Sequence, residues 1–391
     1  MTSTPLPART LETERAIARV LATVRRNVGS FGAAYPDDTT TDGARYPLRP
    51  AANGFAEGAN RGWTTSFWPG MQWIAWELTG EDVFRDAASA HAADFGRRVH
   101  DGEDLDTHDL GFLYSLACVA PSRLLGDSAA RAAALDAAGH LMRRFLPSAG
   151  IVQAWGDLAD AAQRGRTIID SLMNMPLLTW AARETGDPLF AEAVARHTDQ
   201  LRRHILRPDG STFHTFYWDA ETGEPLRGAT EQGAFDDSCW ARGQAWGIYG
   251  FALNHRATGD PALLAASRTC AEYFLAHLPA DGVPYWDLVY TDGSDAPRDS
   301  SAGAIAVCGL YELAALDPAH AARWREAADR ILASLAEDYA PAQPADSDAV
   351  LLHSVYDLPK DVGIDEGTLW GDYFYLEALM RAARPDWRPY W

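Results

Sequence analysis

ELTGE at 77–81, RETGDP at 183–188 and RATGDP at 256–261 are one punctuation mark used three times. In each, a glycine ends an apolar helix, because Gly enters the left-handed region without steric cost. The acidic residue or proline after it starts an amphipathic helix. Weaker copies stand at LLGD, 124–127, and ALDPAH, 315–320. Each mark predicts a tight turn between two helices, and its recurrence predicts a repeat of helical hairpins.

Reading outward from the turns gives helices near 11–29, 82–98, 128–146, 188–205, 260–277 and 318–335, charged on one face and rich in Ala and Leu on the other. That stripe is the mark of a helix on the outside of a core. Between them lie helices near 67–78, 110–120, 170–183, 243–256, 301–314 and 370–382, apolar on most faces and rich in Trp, Phe, Leu and Gly. Such helices are buried on most sides. Strict alternation of an outer and an inner set fits a closed ring, the all-α (α/α)6 barrel, better than an open solenoid, with other all-α toroids as alternatives. One barrel domain over residues 1–391 is expected.

If the short turns lie at one end, every long connection gathers at the other. Those connections are 30–66, 99–109, 147–169, 206–242, 278–300 and 336–369, rich in Gly, Pro, Asp and Trp. Long loops on a rigid scaffold are where function concentrates. Within 206–235, DGSTFHTFYWDAETGEPL alternates polar and aromatic residues around a turn, which predicts a β-hairpin.

Composition narrows the function. A net charge of −20 argues against nucleic acid, whose binding rests on neutralising phosphates with Lys and Arg. Lys360 is the only lysine. The four cysteines, Cys118, Cys239, Cys270 and Cys308, form no CxxC pair, so free thiols in a reducing compartment are expected rather than zinc or disulfides. The opening MTSTPLPARTLETERAIARV lacks an apolar leader and no stretch has membrane-spanning length, so a cytoplasmic protein is expected. Fourteen Trp exceed what packing usually needs: core filling is the default reading, and stacking platforms for sugars or bases are the alternative.

The rim carries the chemistry. In TIIDSLMNMPLL, 167–178, Asp170 stands in an oily run at the head of the third inner helix, and HDLGF, 108–112, puts Asp109 at the head of the second. Each fits an N-cap. Pro176 speaks against a regular helix from Asp170 onward and moves its start towards Met175. GAFDDSCWARGQAWG, 233–247, feeds the fourth with Arg242 and Trp246 one turn apart. An arginine there needs an anionic partner, from the protein or from a substrate. WTTSFW at 63–68, Trp155 and FHTFYWD at 213–219 add aromatics, and His108 and His214 join them. Neither His has a second ligand at HxxxH or HxH spacing and TDGSDAPRD, 291–299, reads as a turn-rich loop, so no metal is expected. No GxSxG elbow, Walker loop or dinucleotide fingerprint stands out. Paired acids, an arginine, two imidazoles and tryptophans outline a carbohydrate site, in which burial and a second carboxylate raise the pKa of one Asp.

Taken together, HDLGF, IIDSLMNMPLL, FHTFYWD and TEQGAFDDSCWARGQAWGIYGFA resemble the unsaturated glucuronyl hydrolases, glycoside hydrolase family 88, over nearly the whole chain. The resemblance implies an (α/α)6 barrel that removes the 4,5-unsaturated uronic acid from the non-reducing end of lyase-generated oligosaccharides. It implies Asp170 as general acid/base and Asp109 as the essential second carboxylate. Trp63, Phe67, His108, Trp155, His214, Gln232, Arg242 and Trp246 would line the sugar site, with Arg242 against the substrate carboxylate. No cofactor, nucleic acid or membrane is implied, and the chain would act as a monomer or homodimer. The sister family of unsaturated rhamnogalacturonyl hydrolases shows RGNGW where this chain has RGQAW. A sugar 2-epimerase on the same barrel would use His108 and His214 instead of the acids. The loop before DEGTLWGDYFYLEAL, with Lys360, matches no pattern for sulfated partner sugars.

Overall fold

The computed structural model describes the backbone of residues 8–391 and side chains from residue 12 onward. The reading of the first seven residues as lacking a leader lies outside the described residues. Among those described, inner and outer helices alternate as the punctuation predicts. The inner set is Phe67–Thr79, Leu110–Tyr114 with its continuation, Met175–Thr185, Ala241–Thr258, Ser300–Leu316 and Leu369–Ala383. The outer set is Ala8–Phe31, Asp82–Asp101, Ser128–Met142, Pro188–His204, Pro261–Ala276 and Ala321–Ser334. Each inner helix packs on the next, and Leu369–Ala383 packs back on Phe67–Thr79, which closes the ring into an α/α barrel.

Burial separates the two sets for the reason the sequence gives. In Ala241–Thr258 every side chain through Asn254 is buried, and in Ser300–Leu316 every one through Ala314. In the outer helix Asp82–Asp101 the buried positions are the stripe Phe84, Ala88, His91, Ala92, Phe95, Arg98 and Val99. At the turns Gly80, Gly126, Gly186 and Gly259 hold φ of 73°, 70°, 74° and 74°. Asp127, Asp187 and Asp260 then accept backbone N–H groups of the next helix. Pro188 and Pro261 occupy the first helical position, where their missing N–H costs nothing. Glu81 makes no cap and instead pairs with Arg25 of the first outer helix.

Boundaries differ from expectation where the backbone departs from the α-helix. The second inner helix passes through a π-helical turn, Ser115–Val119, and runs on through Ala120–Leu125. The third begins at Met175, one residue before Pro176, and a 3-10 turn, Ile169–Met173, carries Asp170. On the rim, Thr215–Trp218 and Pro225–Ala229 form the expected hairpin. Two features were not foreseen. Arg166–Ile168 adds a third strand beside Thr215–Trp218, and Ser354–Asp357 pairs with Val362–Glu366 in a second hairpin.

Candidate active site

The rim strands and helix heads converge on a cavity of about 250 Å³. Strand Arg166–Ile168 leads directly into the turn that holds Asp170, and Asp109 stands immediately before the helix starting at Leu110. The two helix heads are brought together by Gly111, where an added Cβ would lie 2.2 Å from the backbone of Asn174. Asn174 Oδ1 also accepts the Phe112 N–H at 2.8 Å. Glycine and amide thus lock the two acid-bearing segments in register. Gly111→Ala is expected to cost about 1–3 kcal/mol, as overpacking against a fixed backbone does, and to lower activity beyond what the lost stability explains. A denaturant midpoint and a rate at the same temperature check both effects.

Asp109 and Asp170 face one imidazole. His108 Nε2 lies 3.2 Å from Asp109 Oδ1 and 3.7 Å from Asp170 Oδ1. The carboxylates are 16% and 18% exposed, into the cavity, whereas His108 is 3% exposed. Asp109 does not cap its helix, because no backbone N–H donates to it there. Asp170 lies inside the 3-10 turn Ile169–Met173, two positions past the N-cap at Ile168, with backbone N–H groups of the turn itself (Asp170 and Ser171) on its carboxylate. The Thr107 hydroxyl donates to Asp109 Oδ2 at 2.8 Å, while Asp170 Oδ1 is buried with no hydrogen-bond partner in the protein. Burial, reinforced by the neighbouring Asp109 charge, pushes the Asp170 carboxyl well above its ordinary range, and Arg242 opposes this only in part. Burial lowers the proton affinity of His108. One acid that holds its proton beside a second carboxylate is the division that general acid chemistry requires.

The other walls are aromatic and amide. Trp63 Nε1–H donates to the Tyr356 hydroxyl at 3.0 Å, which fixes the indole against the second hairpin. Half-buried Trp155 stands edge-on to Tyr217. The loop beneath it is tied by buried Arg144, which donates to Gln153 O at 2.9 Å and Gly156 O at 3.1 Å. His214 Nδ1 accepts the backbone N–H groups of Glu231 and Gln232 at 3.1 and 3.2 Å, so its proton resides on Nε2. Burial lowers its pKa to about 3 and keeps it neutral.

Of the residues named from the sequence, Trp63, His108, Asp109, Trp155, Asp170, His214, Gln232, Arg242 and Trp246 line the cavity. Phe67 is not among them. It is fully buried behind Trp63, 5.7 Å away edge-to-face, and packs on Phe112 and Tyr373, so it supports the wall rather than forming it. Arg242 finds its anion within the protein: Nη1 lies 2.7 Å from Asp299 Oδ2, with both side chains almost fully buried. Its Nη groups also donate to the carbonyls of Val355 and Tyr356. Its charge is therefore already compensated before any substrate carboxylate arrives.

Ile168, Glu231, Trp240, Tyr356 and Lys360 line the cavity without having been singled out as site residues. Trp240 packs on His214 with ring centroids 4.2 Å apart and the rings tilted by 42°, and Lys360 pairs with Asp357 Oδ2 at 2.7 Å. The signals available were Trp240 beside Arg242 and the fact that Lys360 is the only lysine. Gln244, part of the RGQAW pattern, points away from the cavity: it accepts from Thr212 and donates to Gly210 O and Cys270 O, tying the 205–240 connection to its helix. Among the described residues no cluster of three or more His, Cys, Asp or Glu has metal-holding geometry.

Known proteins resemble this chain over nearly its whole length. The sequence profile of Glycosyl Hydrolase Family 88 matches residues 44–343. An unsaturated chondroitin disaccharide hydrolase of Streptococcus pyogenes serotype M1 is 42% identical over 380 residues, 96% of this chain and 92% of its own. An unsaturated glucuronyl hydrolase of Bacillus sp. (strain GL1) is 42% identical over 374 residues, 95% of this chain and 97% of its own. The crystal structure of an unsaturated glucuronyl hydrolase from Streptococcus agalactiae superposes with a TM-score of 0.92 at 40% identity, covering 100% of this chain and 95% of that one.

Proposed function

Because the chain belongs to Glycosyl Hydrolase Family 88, and is thus a glycoside hydrolase, we propose that it removes a 4,5-unsaturated uronic acid from the non-reducing end of glycosaminoglycan-type di- or oligosaccharides. The observation that carries this reading is the pairing of Asp170, buried and proton-retaining, with Asp109 across His108 at the mouth of one cavity. Asp170 gives its proton to C4 of the vinyl ether, which leaves positive charge shared between C5 and the ring oxygen. Water adds to C5, its proton passes to the Asp170 carboxylate, and the hemiketal opens. The C1 centre, now an open-chain hemiacetal, then releases the partner sugar. Hydration of the alkene drives cleavage, and no displacement at C1 is involved.

Asp109 holds negative charge beside the developing cation, with Thr107 and His108 fixing its oxygens. Trp63, Trp155 and Trp246 offer apolar faces to the sugar rings. His214 presents Nε2–H as a donor, and the buried Arg242–Asp299 pair stiffens the wall beside Gln232. We place this activity in a single barrel domain acting as a monomer or homodimer in the cytoplasm. What supports that location is that no described helix is long and apolar enough to cross a membrane, and that all four thiols are free and buried.

Incubation with an unsaturated chondroitin disaccharide is expected to abolish the ultraviolet absorbance of the conjugated alkene, with release of the partner sugar. Persistence of that absorbance on unsaturated chondroitin and heparin disaccharides alike overturns the reading. An epimerase or a binding module would leave it unchanged. A panel of lyase products differing in linkage and sulfation then ranks the partner sugars.

A further inference from the structure

Asp170 is aimed by its own turn: its buried Oδ1 has no hydrogen-bond partner in the protein, and the backbone N–H groups that act on its carboxylate are those of Asp170 and Ser171. Behind the turn Ile169–Met173 lies a polar chain that the reaction does not touch. His197, on the outer helix Pro188–His204, is fully buried. Its Nδ1 accepts the Val152 N–H at 3.0 Å, and its Nε2 lies 2.8 Å from Ser171 Oγ. Ser171 Oγ in turn donates to Ile168 O at 2.6 Å.

The protons in this chain have one arrangement. Nδ1 takes an N–H and so carries no proton, which puts the ring proton on Nε2 and makes it the donor to Ser171. The serine hydroxyl, accepting there, spends its own proton on Ile168 O. Burial lowers the His197 pKa to about 3, so the ring stays neutral and the direction of the chain holds through the working range. The links join strand Ile151–Val152, the outer helix, and both ends of the corner on which Asp170 sits.

We propose that His197 and Ser171 are positioning residues, which set the corner Ile168–Ser171 and thereby point the Asp170 carboxyl at the reacting carbon. The proposal rests on the reading of Asp170 as the acid. A misplacement of the acid by about 1 Å costs on the order of a hundredfold in rate. Ser171→Ala is therefore expected to lower kcat by about 10- to 100-fold with KM within about threefold of wild type.

Two variants at position 197 separate positioning from mere packing. His197→Gln and His197→Leu both strand the Val152 N–H, so both should melt lower. Only the Gln amide can still donate to Ser171, so His197→Gln is expected to recover most of the kcat that His197→Leu loses. Equal kcat for the Gln and Leu variants, or a Ser171→Ala kcat within twofold of wild type, overturns the proposal. Should His197→Leu fail to fold, Ser171→Ala carries the test alone. Asp170→Asn assayed beside them keeps the two readings apart: if it retains the wild-type rate the proposed function fails, and if it is inactive while Ser171→Ala is unaffected only the positioning role fails.

Discussion

Asp170→Asn is expected to lower kcat by about a hundred- to ten-thousandfold while making the protein more resistant to heat at neutral pH. The first effect follows from the chemistry: an amide cannot donate a proton to carbon, and the range is what a positioned general acid contributes. The second follows from linkage. Folding buries Asp170 beside Asp109 and raises its pKa well above the value of about 3.9 that it has in the unfolded chain. Between those two values the folded state holds a proton that the unfolded state has released, so the stability of the wild type falls as pH rises through that window. Asn has no such ionisation. The melting temperatures of variant and wild type should lie close together near pH 4 and separate as pH rises, with the variant higher. For kcat, the wild type should lose rate on the alkaline side as Asp170 gives up its proton. A variant that retains near-wild-type rate, or one whose stability advantage shrinks as pH rises, sinks the assignment.

The barrel was legible because its turns use residues with narrow conformational meaning. Gly80, Gly186 and Gly259 stop helices in the left-handed region, and Asp187–Pro188 and Asp260–Pro261 start them, so the hairpins could be counted from local chemistry. The pairing of Asp109 with Asp170 followed from that count, since both stand at the heads of neighbouring inner helices. Long-range contacts were not legible in the same way. The close approach of Gly111 to Asn174 joins segments remote in sequence, and nothing local marks it. The same holds for the hairpin that brings Tyr356 and Lys360 to the cavity, because its strands are short and set by pairing on the rim. Phe67 shows the opposite failure: beside Trp63 in WTTSFW it reads as part of a sugar platform, but its position in the helix turns it inward to the core.

Asp299→Ala is expected to destabilise the fold by about 3–5 kcal/mol, because it leaves the Arg242 guanidinium buried without a counter-charge. Geometry makes the effect large. Arg242 is 2% exposed and Asp299 fully buried, so water cannot replace the lost carboxylate. The guanidinium is held between Trp240 and Trp370 and bonded to the carbonyls of Val355 and Tyr356, which fixes it in place beside the cavity. Asp299 also caps the inner helix Ser300–Leu316 through the Ala302 N–H. Asp299→Asn keeps an effective cap and should be less destabilised than the alanine variant by about 1 kcal/mol, the usual worth of a cap. Removing both charges, as in Arg242→Met with Asp299→Ala, should recover part of the loss, and a double-mutant cycle reads that coupling. In the single variant, KM should rise, because Gln232 and Tyr356 share the wall that Arg242 holds. An Asp299→Ala protein that unfolds at the wild-type denaturant midpoint would mean that Arg242 does not depend on Asp299, and would return it to the role of a free clamp for the substrate carboxylate.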